Sequence, residues 1–584
     1  MSKTIESMQQ VSEMARVACR RQGAALVPIR GLALVPIRGL ALVSIRTLLQ
    51  CSILFLVICG AGCDDHSKKT GVSTSPSSTA DTDGGSRTLR RGLPGDPRTL
   101  DPQLADDNYS FQVVRDLYEG LTAEDPAGQI VPGVANSWTI DASGKVYTFH
   151  LRPDAKWSDG HRTVATEFVQ GLRRAVDPKT ASDSAGLLSV IKGAGEIIAG
   201  HKPVVELGAT AINESTVRIE LEHPAPFILQ ILSQPIAAPV HLGTPPDHQS
   251  VDKSDVYNGA YVLVTRVPGS FIELARNPNY WNSSHVAIGK VRYVNSESEA
   301  TELREYIANQ LDMTFTIPMP DLGRVLENYT SEVQTAPYLG TFYLALNLTK
   351  PPLKDTVSLR QALSMAVDRE LIADHVMMGV APAYTFVASG TSGYDRPEYE
   401  WATWTRERQL AYARTLYARS GYSEKNPLHL KLYFNTSEGI QRIMIAIAGS
   451  WKQNLGVVSE LDSDEFRVFL AGRKDHTRWD VARLGWDADY DDPSSFLDVF
   501  TPGNNQNDSA YNNTAFNEAI LEARVDPRPD SRLMHLSSAE KTLLNDYPII
   551  PIYFKKARRL VKPYVGGAQL TPMNRTYSKN LFWK

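Results

Sequence analysis

Between Asp480 and Asp492 the chain reads DVARLGWDADYDD, and it is here that groups able to do chemistry concentrate. Four carboxylates, Asp487, Asp489, Asp491 and Asp492, follow a single arginine, Arg483. One chemistry open to such a set is calcium binding, because DADYDDPSSFLD places acids at positions 1, 3, 5 and 12 of a loop. The sixth position of an EF-hand loop takes glycine for its sharp turn; here it is Asp492, followed by Pro493, and that reading fails. A second is carboxylate-dependent hydrolysis, which needs two acids at a defined separation. Adjacent pairs such as Asp464-Glu465 and Asp491-Asp492 are too common to mark it, and no GxSxG, HExxH or P-loop pattern occurs. An exported hydrolase is thus a distant alternative, and no enzymatic activity is expected. A third is recognition of a zwitterion, an acid for its ammonium and an arginine for its carboxylate. If residues 483–489 are extended, Arg483 and Asp489 face one side and lie at most ~20 Å apart. The bland alternative is a solvated acidic loop.

The elements that must position these groups alternate in kind along the chain, as in a mixed α/β protein. Val146–Leu151 (VYTFHL), Thr216–Leu221 (TVRIEL) and Leu428–Phe434 (LHLKLYF) read as strands. Thr166–Ala175 reads as a helix with Thr166 suited to cap it, and Leu359–His375 as the clearest amphipathic helix. No long Pro/Gly/Ser linker divides the body, so its domains are expected to exchange strands. The 203–226, 241–258 and 378–400 stretches are candidate crossings.

The 584 residues are 42% hydrophobic and 22% charged, an ordinary globular balance with ample core for several domains. A net charge of −4 without a basic block argues against nucleic acid as a partner. Leu48–Cys59 (LLQCSILFLVIC) is an apolar run preceded by Arg38 and Arg46, too short for the roughly 20 residues of a membrane span. Positive flank, short apolar core and small residues describe an export signal. Gly60-Ala61-Gly62-Cys63 resembles the lipobox of bacterial lipoproteins, which makes Cys63 the expected lipidation site. All four cysteines, Cys19, Cys51, Cys59 and Cys63, fall at or before that point, so the exported body is stable without disulfides. The repeat ALVPIRGL-ALVPIRGL-ALVSIR over 25–46 is read as duplicated leader. Residues 64–87, mostly Ser, Thr, Gly and Asp, are read as a tether with a root-mean-square reach of ~25–30 Å.

Residues 131–178 carry a longer pattern: Pro132-Gly133-Val134-Ala135, Ser137-Trp138, Tyr147-Thr148-Phe149, Leu151-Arg152, Lys156-Trp157-Ser158-Asp159-Gly160 and Thr166-x-Phe168. Further matches are Thr99-Leu100-Asp101-Pro102, Asp116-Leu117-Tyr118-Glu119-Gly120-Leu121, Asn258-Gly259-Ala260-Tyr261, Asn277-Pro278-x-Tyr280-Trp281, Met365-Ala366-Val367-Asp368-Arg369, Gly485-Trp486-x-Ala488-Asp489-Tyr490 and Arg559-Leu560-Val561-Lys562-Pro563. Together they resemble the extracellular solute-binding family 5, the peptide and nickel receptors of ABC importers, and most of all its oligopeptide receptors, over residues 90–584.

The resemblance implies an α/β, two-lobed, three-domain periplasmic binding protein with mixed sheets and discontinuous domains, closing on its ligand by a hinge. The domains it implies are a leader over 1–62, the lipidated cysteine and tether over 63–87, and a first lobe built from 88–122, 239–339 and 557–584. An extra domain over 123–238 and a second lobe over 340–556 complete it. Trp138 and Trp157 are taken as structural. By the same resemblance Asp489 pairs with a peptide α-amino group and Arg483 meets the carboxylate of shorter peptides. Gly485, Trp486 and Asp487 offer main chain to the peptide, with Ser110 and Phe111 on the facing segment, a mode that adds a strand without choosing side chains. Phe466 lines a side-chain pocket. No metal, cofactor or catalytic residue is implied. The expected partners are a short peptide and the permease and ATPase subunits of an importer in the inner membrane. The protein is expected to be a monomer, exported to the periplasm or cell envelope and held by its lipid anchor. Departures from the family pattern fall at Ile440, Phe315-Thr316 and Leu187, and a cysteine pair is replaced by Gly340 and Asp487. The cleft has thus lost polar groups, which shifts the expected ligand toward shorter, more apolar or non-standard peptides. A metal chelate, haem or a cell-wall fragment on the same fold is the alternative.

Overall fold

Three large sheets and two small two-stranded ones build the body. The computed structural model of the chain describes residues 87–244 and 255–584. The export signal, Cys63 and the tether up to residue 86 lie outside them, as does part of the 241–258 stretch. Arg87 is already docked, its guanidinium 4.1 Å from the ring of Tyr564 and 4.0 Å from that of Trp583.

The first sheet orders its strands 88–93, 290–295, 271–276 and 261–267, parallel at the first pair and antiparallel after it. The second is the antiparallel set 135–140, 146–151, 216–220 and 209–213. Helix Ala165–Val176 belongs to the same core, burying Phe168 and Leu172. Its cap is not Thr166: Val164 occupies that position, and Glu167 reaches back to the Val164 amide at 2.9 Å. Glu167 also accepts the indole N–H of Trp157 at 2.8 Å, and Trp157 is 1% exposed, so this tryptophan serves packing.

The third sheet is mixed, in the order 381–382, 549–560, 333–346, 481–487, 429–435, 458–464. Residues of Val333–Leu346 alternate between its faces. Phe342, Leu344 and Leu346 join a core with helices Val357–Ala366 and Glu438–Leu455, while Leu339, Tyr343 and Ala345 join one with helices Thr514–Val525 and Pro529–Asp546. A strand covered on both faces reads as an unbroken apolar run, which is why YLGTFYLAL shows no alternation. The expected helix 359–375 is broken: it ends at Ala366, and Asp368 starts a new turn by accepting the Leu371 amide at 3.0 Å. The break serves Arg369, which is 1% exposed and donates to the carbonyls of Ser364, Ala383 and Pro551.

Strands Val333–Leu346 and Ile549–Leu560 stay paired along most of their length, with register shifts between Pro337 and Thr341 and between Phe342 and Tyr343. Their far ends join the first sheet through Met313, bridged to both Arg91 and Val561. These strands join the parts of a two-lobed α/β fold.

Candidate ligand-binding site

Strand Val481–Asp487 runs antiparallel to Val333–Leu346 along all its residues, from Val481 opposite Leu346 to Asp487 opposite Gly340. On its other edge only Val481 and Ala482 are paired, with Leu432 and Tyr433. From Arg483 to Asp487 that edge has no backbone partner among the described residues, so it is open to one more strand.

The extended conformation stops at Asp487. The Ala488 amide still reaches the Leu339 carbonyl at 2.8 Å, but the Asp489 amide turns to the hydroxyl of Ser495 at 2.9 Å, and Pro493 opens the short helix Ser494–Leu497. Arg483 and Asp489 therefore do not share one continuous strand, contrary to the sequence expectation.

The four acids have separate fates. Asp487 pairs with the ammonium of Lys555 at 2.6 Å. Asp491 accepts the amide and hydroxyl of Ser392 at 2.8 and 2.5 Å. Asp492 takes both guanidinium nitrogens of Arg532 at 2.8 Å each and caps Ser494. Only the Asp489 carboxylate makes no hydrogen bond or ion pair among the described residues, although its carbonyl accepts from Gln234 at 2.9 Å and Arg575 at 3.2 Å. Three acids are thus spent on different partners, and the fourth, Asp489, is not. Solvent reaches Asp489, yet protein around it pushes its carboxyl up to about 6; Arg575 opposes that rise and Asp487 adds to it.

Arg483 is the complement. Its guanidinium makes no hydrogen bond or ion pair among the described residues, its Nε is buried without a partner, and its nearest ring is Phe342 at 5.3 Å. Burial lowers its pKa. Arg483 is half-buried, and a partly desolvated cation without an ion pair is one that an anion would stabilise. Trp486 donates its indole N–H to the Ser495 carbonyl at 2.6 Å. Gly485 leaves the strand bare; a Cβ there would meet nothing closer than the Lys555 ammonium at 3.4 Å. At Gly340, opposite Asp487, a Cβ would stand 2.4 Å from the Asp487 carboxylate, so glycine is what lets the Asp487–Lys555 pair form.

Asp489, Trp486, Tyr490 and Leu187 line a cavity of about 630 Å³ between segment 183–227 and segment 486–536. Its size is within the range of small-ligand sites. Phe227 stacks on Tyr490 at 4.2 Å, while His223, Arg524 and Arg532 also face it. Arg483, Gly485, Asp487, Phe466, Ser110 and Phe111 do not line it. Phe466 is 48% exposed at the start of helix Phe466–Gly472.

Ser110 and Phe111 do not form a facing strand. They lie in helix Asn108–Leu117, where the Asp107 side chain caps the Tyr109 and Ser110 amides and accepts the Ser110 hydroxyl at 2.5 Å. With helical backbone and its amides spent, this pair has no ladder to offer.

Sequence reasoning passed over Arg115, at the end of that helix. Its guanidinium makes no hydrogen bond or ion pair among the described residues, its Nε is buried, and its nearest ring is Phe111 at 5.2 Å. Burial, reinforced by Arg575, lowers its pKa to about 10. One arginine on a helix carries no signal in sequence, and only the fold brings it into the same electrostatic neighbourhood as Tyr338 and the Arg575–Glu124 ion pair.

Comparison with known proteins decides the family. Residues 129–508 match the model of the bacterial extracellular solute-binding proteins, family 5. The chain belongs to that family. It is 36% identical over 510 residues to the periplasmic oligopeptide-binding protein OppA of Escherichia coli, covering 85% of this chain and 92% of that protein. It is 34% identical over 500 residues to the periplasmic murein peptide-binding protein MppA of the same bacterium, covering 85% and 93%. The unliganded open form of MppA, a murein tripeptide-binding protein, superimposes with a TM-score of 0.75 over 85% of this chain and 97% of that one, at 34% identity. Among the described residues of this family 5 protein, no helix is long and apolar enough to cross a membrane.

Proposed function

We propose that this protein is the extracytoplasmic receptor of an importer and captures short peptides between its lobes. The observation that carries the reading is the pair of unspent charges on one segment. The Asp489 carboxylate faces a cavity with no hydrogen-bonded or ion-paired cation, and Arg483, half-buried with its Nε out of water, has no hydrogen-bonded or ion-paired anion among the described residues, on either side of a strand edge with no backbone partner there. A peptide supplies an ammonium, a carboxylate and a main chain able to pair with that edge. In this reading Asp489 holds the ammonium and Arg483 the carboxylate of shorter peptides. Gly485 to Asp487 pair with the ligand backbone, Trp486 walls the cavity, Phe466 flanks a side-chain subsite, and Arg115 adds a second cation for an acidic ligand. The names of the relatives, for oligopeptides and murein peptides, support the class.

In this reading Asp489 and Arg483 hold charges, and the protein binds its ligand without turnover. Export, lipid attachment at Cys63, a monomeric state, hinge closure and delivery to a permease with its ATPase belong to the same proposal. Isothermal titration with a tripeptide tests it. Wild type binds one equivalent without turnover, and Asp489→Asn loses affinity by on the order of a hundredfold, the range for removing one partner of a desolvated charge pair. Unchanged affinity in Asp489→Asn removes Asp489 as the anchor.

A further inference from the structure

Away from the cleft, one group of side chains is assembled as a ligand set that peptide capture does not use. Asp159, His161 and His241 bring one ligand atom each to within 4.8 Å of one another. Asp159 and His161 flank Gly160 in a tight turn closed by hydrogen bonds from the Gly160 amide to the Trp157 carbonyl and from the Trp157 amide to the His161 carbonyl, at 2.9 and 2.8 Å. Gly160 sits at a φ of +93°, where a side chain would be strained. His241 arrives from a distant segment and stands edge-on to the buried Trp157, ring centroids 5.1 Å apart.

The three are positioned before any ligand arrives. Asp159 spends Oδ1 on the His161 amide at 3.0 Å and presents Oδ2 to both imidazoles, to His161 Nδ1 at 2.7 Å and to His241 Nε2 at 3.4 Å. Two ring nitrogens converging on one carboxylate oxygen are what a three-ligand site looks like with protons in the ion's place. Ligand atoms around a tetrahedral zinc at about 2.1 Å stand about 3.4 Å apart, so small ring movements complete the geometry. Exposure is graded: the His241 side chain is 16% exposed, Asp159 28% and His161 76%, which leaves the outward side open for entry and for water. Trp157, fixed through its indole N–H to Glu167 at 2.8 Å, backs the His241 ring.

We propose that Asp159, His161 and His241 form a binding site for a divalent transition-metal ion, zinc first, with water completing its shell. Two imidazoles and one carboxylate suit zinc, nickel or copper and disfavour calcium and magnesium, which take oxygen ligands. Each ring binds the ion as neutral imidazole, so the proton it holds toward Asp159 shifts to its other nitrogen. On His241 that nitrogen is Nδ1, which then gives up the Gly243 amide it accepts at 3.2 Å. The ion would clip the turn at 159–161 to the segment carrying His241, and so stabilise the folded state by mass action. None of the three residues lines the ligand cavity, and the inference stands whether or not the peptide reading does.

The test uses tag-free mature protein stripped of metal by a chelator, titrated with zinc and, for its spectrum, with cobalt(II). The expected result is one saturable equivalent of zinc, a raised melting temperature, and the intense visible absorption of tetrahedral cobalt. His161→Ala, a change at an exposed position, is expected to keep the fold and peptide affinity while weakening zinc at least about tenfold. His241→Ala and Asp159→Asn are expected to do the same, with circular dichroism confirming the fold. Absence of a one-equivalent isotherm in the wild type, or an isotherm and cobalt spectrum unchanged in His161→Ala, overturns the site.

Discussion

Acidification between pH 7.5 and 5 should weaken peptide binding by about tenfold through one carboxyl group. Asp489 must be ionised to hold an ammonium, but in the ligand-free protein its surroundings push it up to about 6. With the bound carboxylate fully ionised, affinity scales with the ionised fraction of the free form. That fraction is near one at pH 7.5 and about a tenth at pH 5. The sign follows from the raised value: affinity is complete above about 6 and is lost as pH falls through it. Solvent still reaches the side chain, so screening trims the shift and tenfold is a ceiling. An ordinary aspartate, near 3.9, would leave this window flat. The charged groups acting on Asp489 are Arg575 and Asp487; His223 faces the same cavity, and burial lowers its pKa. Titration calorimetry at pH 5, 6, 7 and 7.5 with a tripeptide lacking ionisable side chains reads the effect. Asp489→Asn is the control and should bind weakly without this slope. A flat wild-type profile, or an equal slope in the variant, would refute the assignment of Asp489 as the anchor.

Other expectations follow from the same geometry. Arg483→Gln should weaken di- and tripeptides on the order of tenfold and longer peptides less, because only a short ligand ends beside it; equal losses at all lengths would place the carboxylate elsewhere. Burial pushes the Glu302 carboxyl up to about 8, although the Phe315 amide at 2.6 Å favours its charge. The folded state therefore keeps a proton the unfolded chain has lost, and stability declines as pH rises from about 4.5 toward 8. Glu302→Gln should raise stability at pH 7 by at most ~3 kcal/mol and leave it unchanged at pH 4, measured by urea unfolding. Gly340→Cys with Asp487→Cys should close a cross-strand disulfide, seen as a loss of two hydrogens in the intact mass, because the two positions are directly opposed. Two free thiols under oxidising conditions would contradict that register.

Legibility of the sequence ran with locality. The strand written VYTFHL forms over Val146–Leu151, and LHLKLYF forms one residue later, over His429–Asn435, because period-two patterning is a local property. The long helix at 359–375 was misread because Arg369, a good helix former by propensity, is buried for hydrogen bonds to carbonyls at 364, 383 and 551, which only the tertiary fold assembles. The acidic run was visible, but sequence could not sort its members. Which acid is unspent depends on Lys555, Ser392 and Arg532, each far along the chain. Arg115 was missed for the same reason, and so was the grouping of Asp159 and His161 with His241. Ser110 and Phe111, expected on a facing segment, sit in a helix capped by Asp107, a local structure that the sequence pattern did not signal.

The central claim is that the cleft holds a peptide by its charged ends, and native mass spectrometry of the mature protein purified from a bacterial periplasm tests it most directly. Wild type should carry masses that leave on mild denaturation and fragment as short peptides, while Asp489→Asn purified in parallel carries few or none. A stoichiometric non-peptide mass in the wild type, or the same peptide load in both proteins, would contradict it.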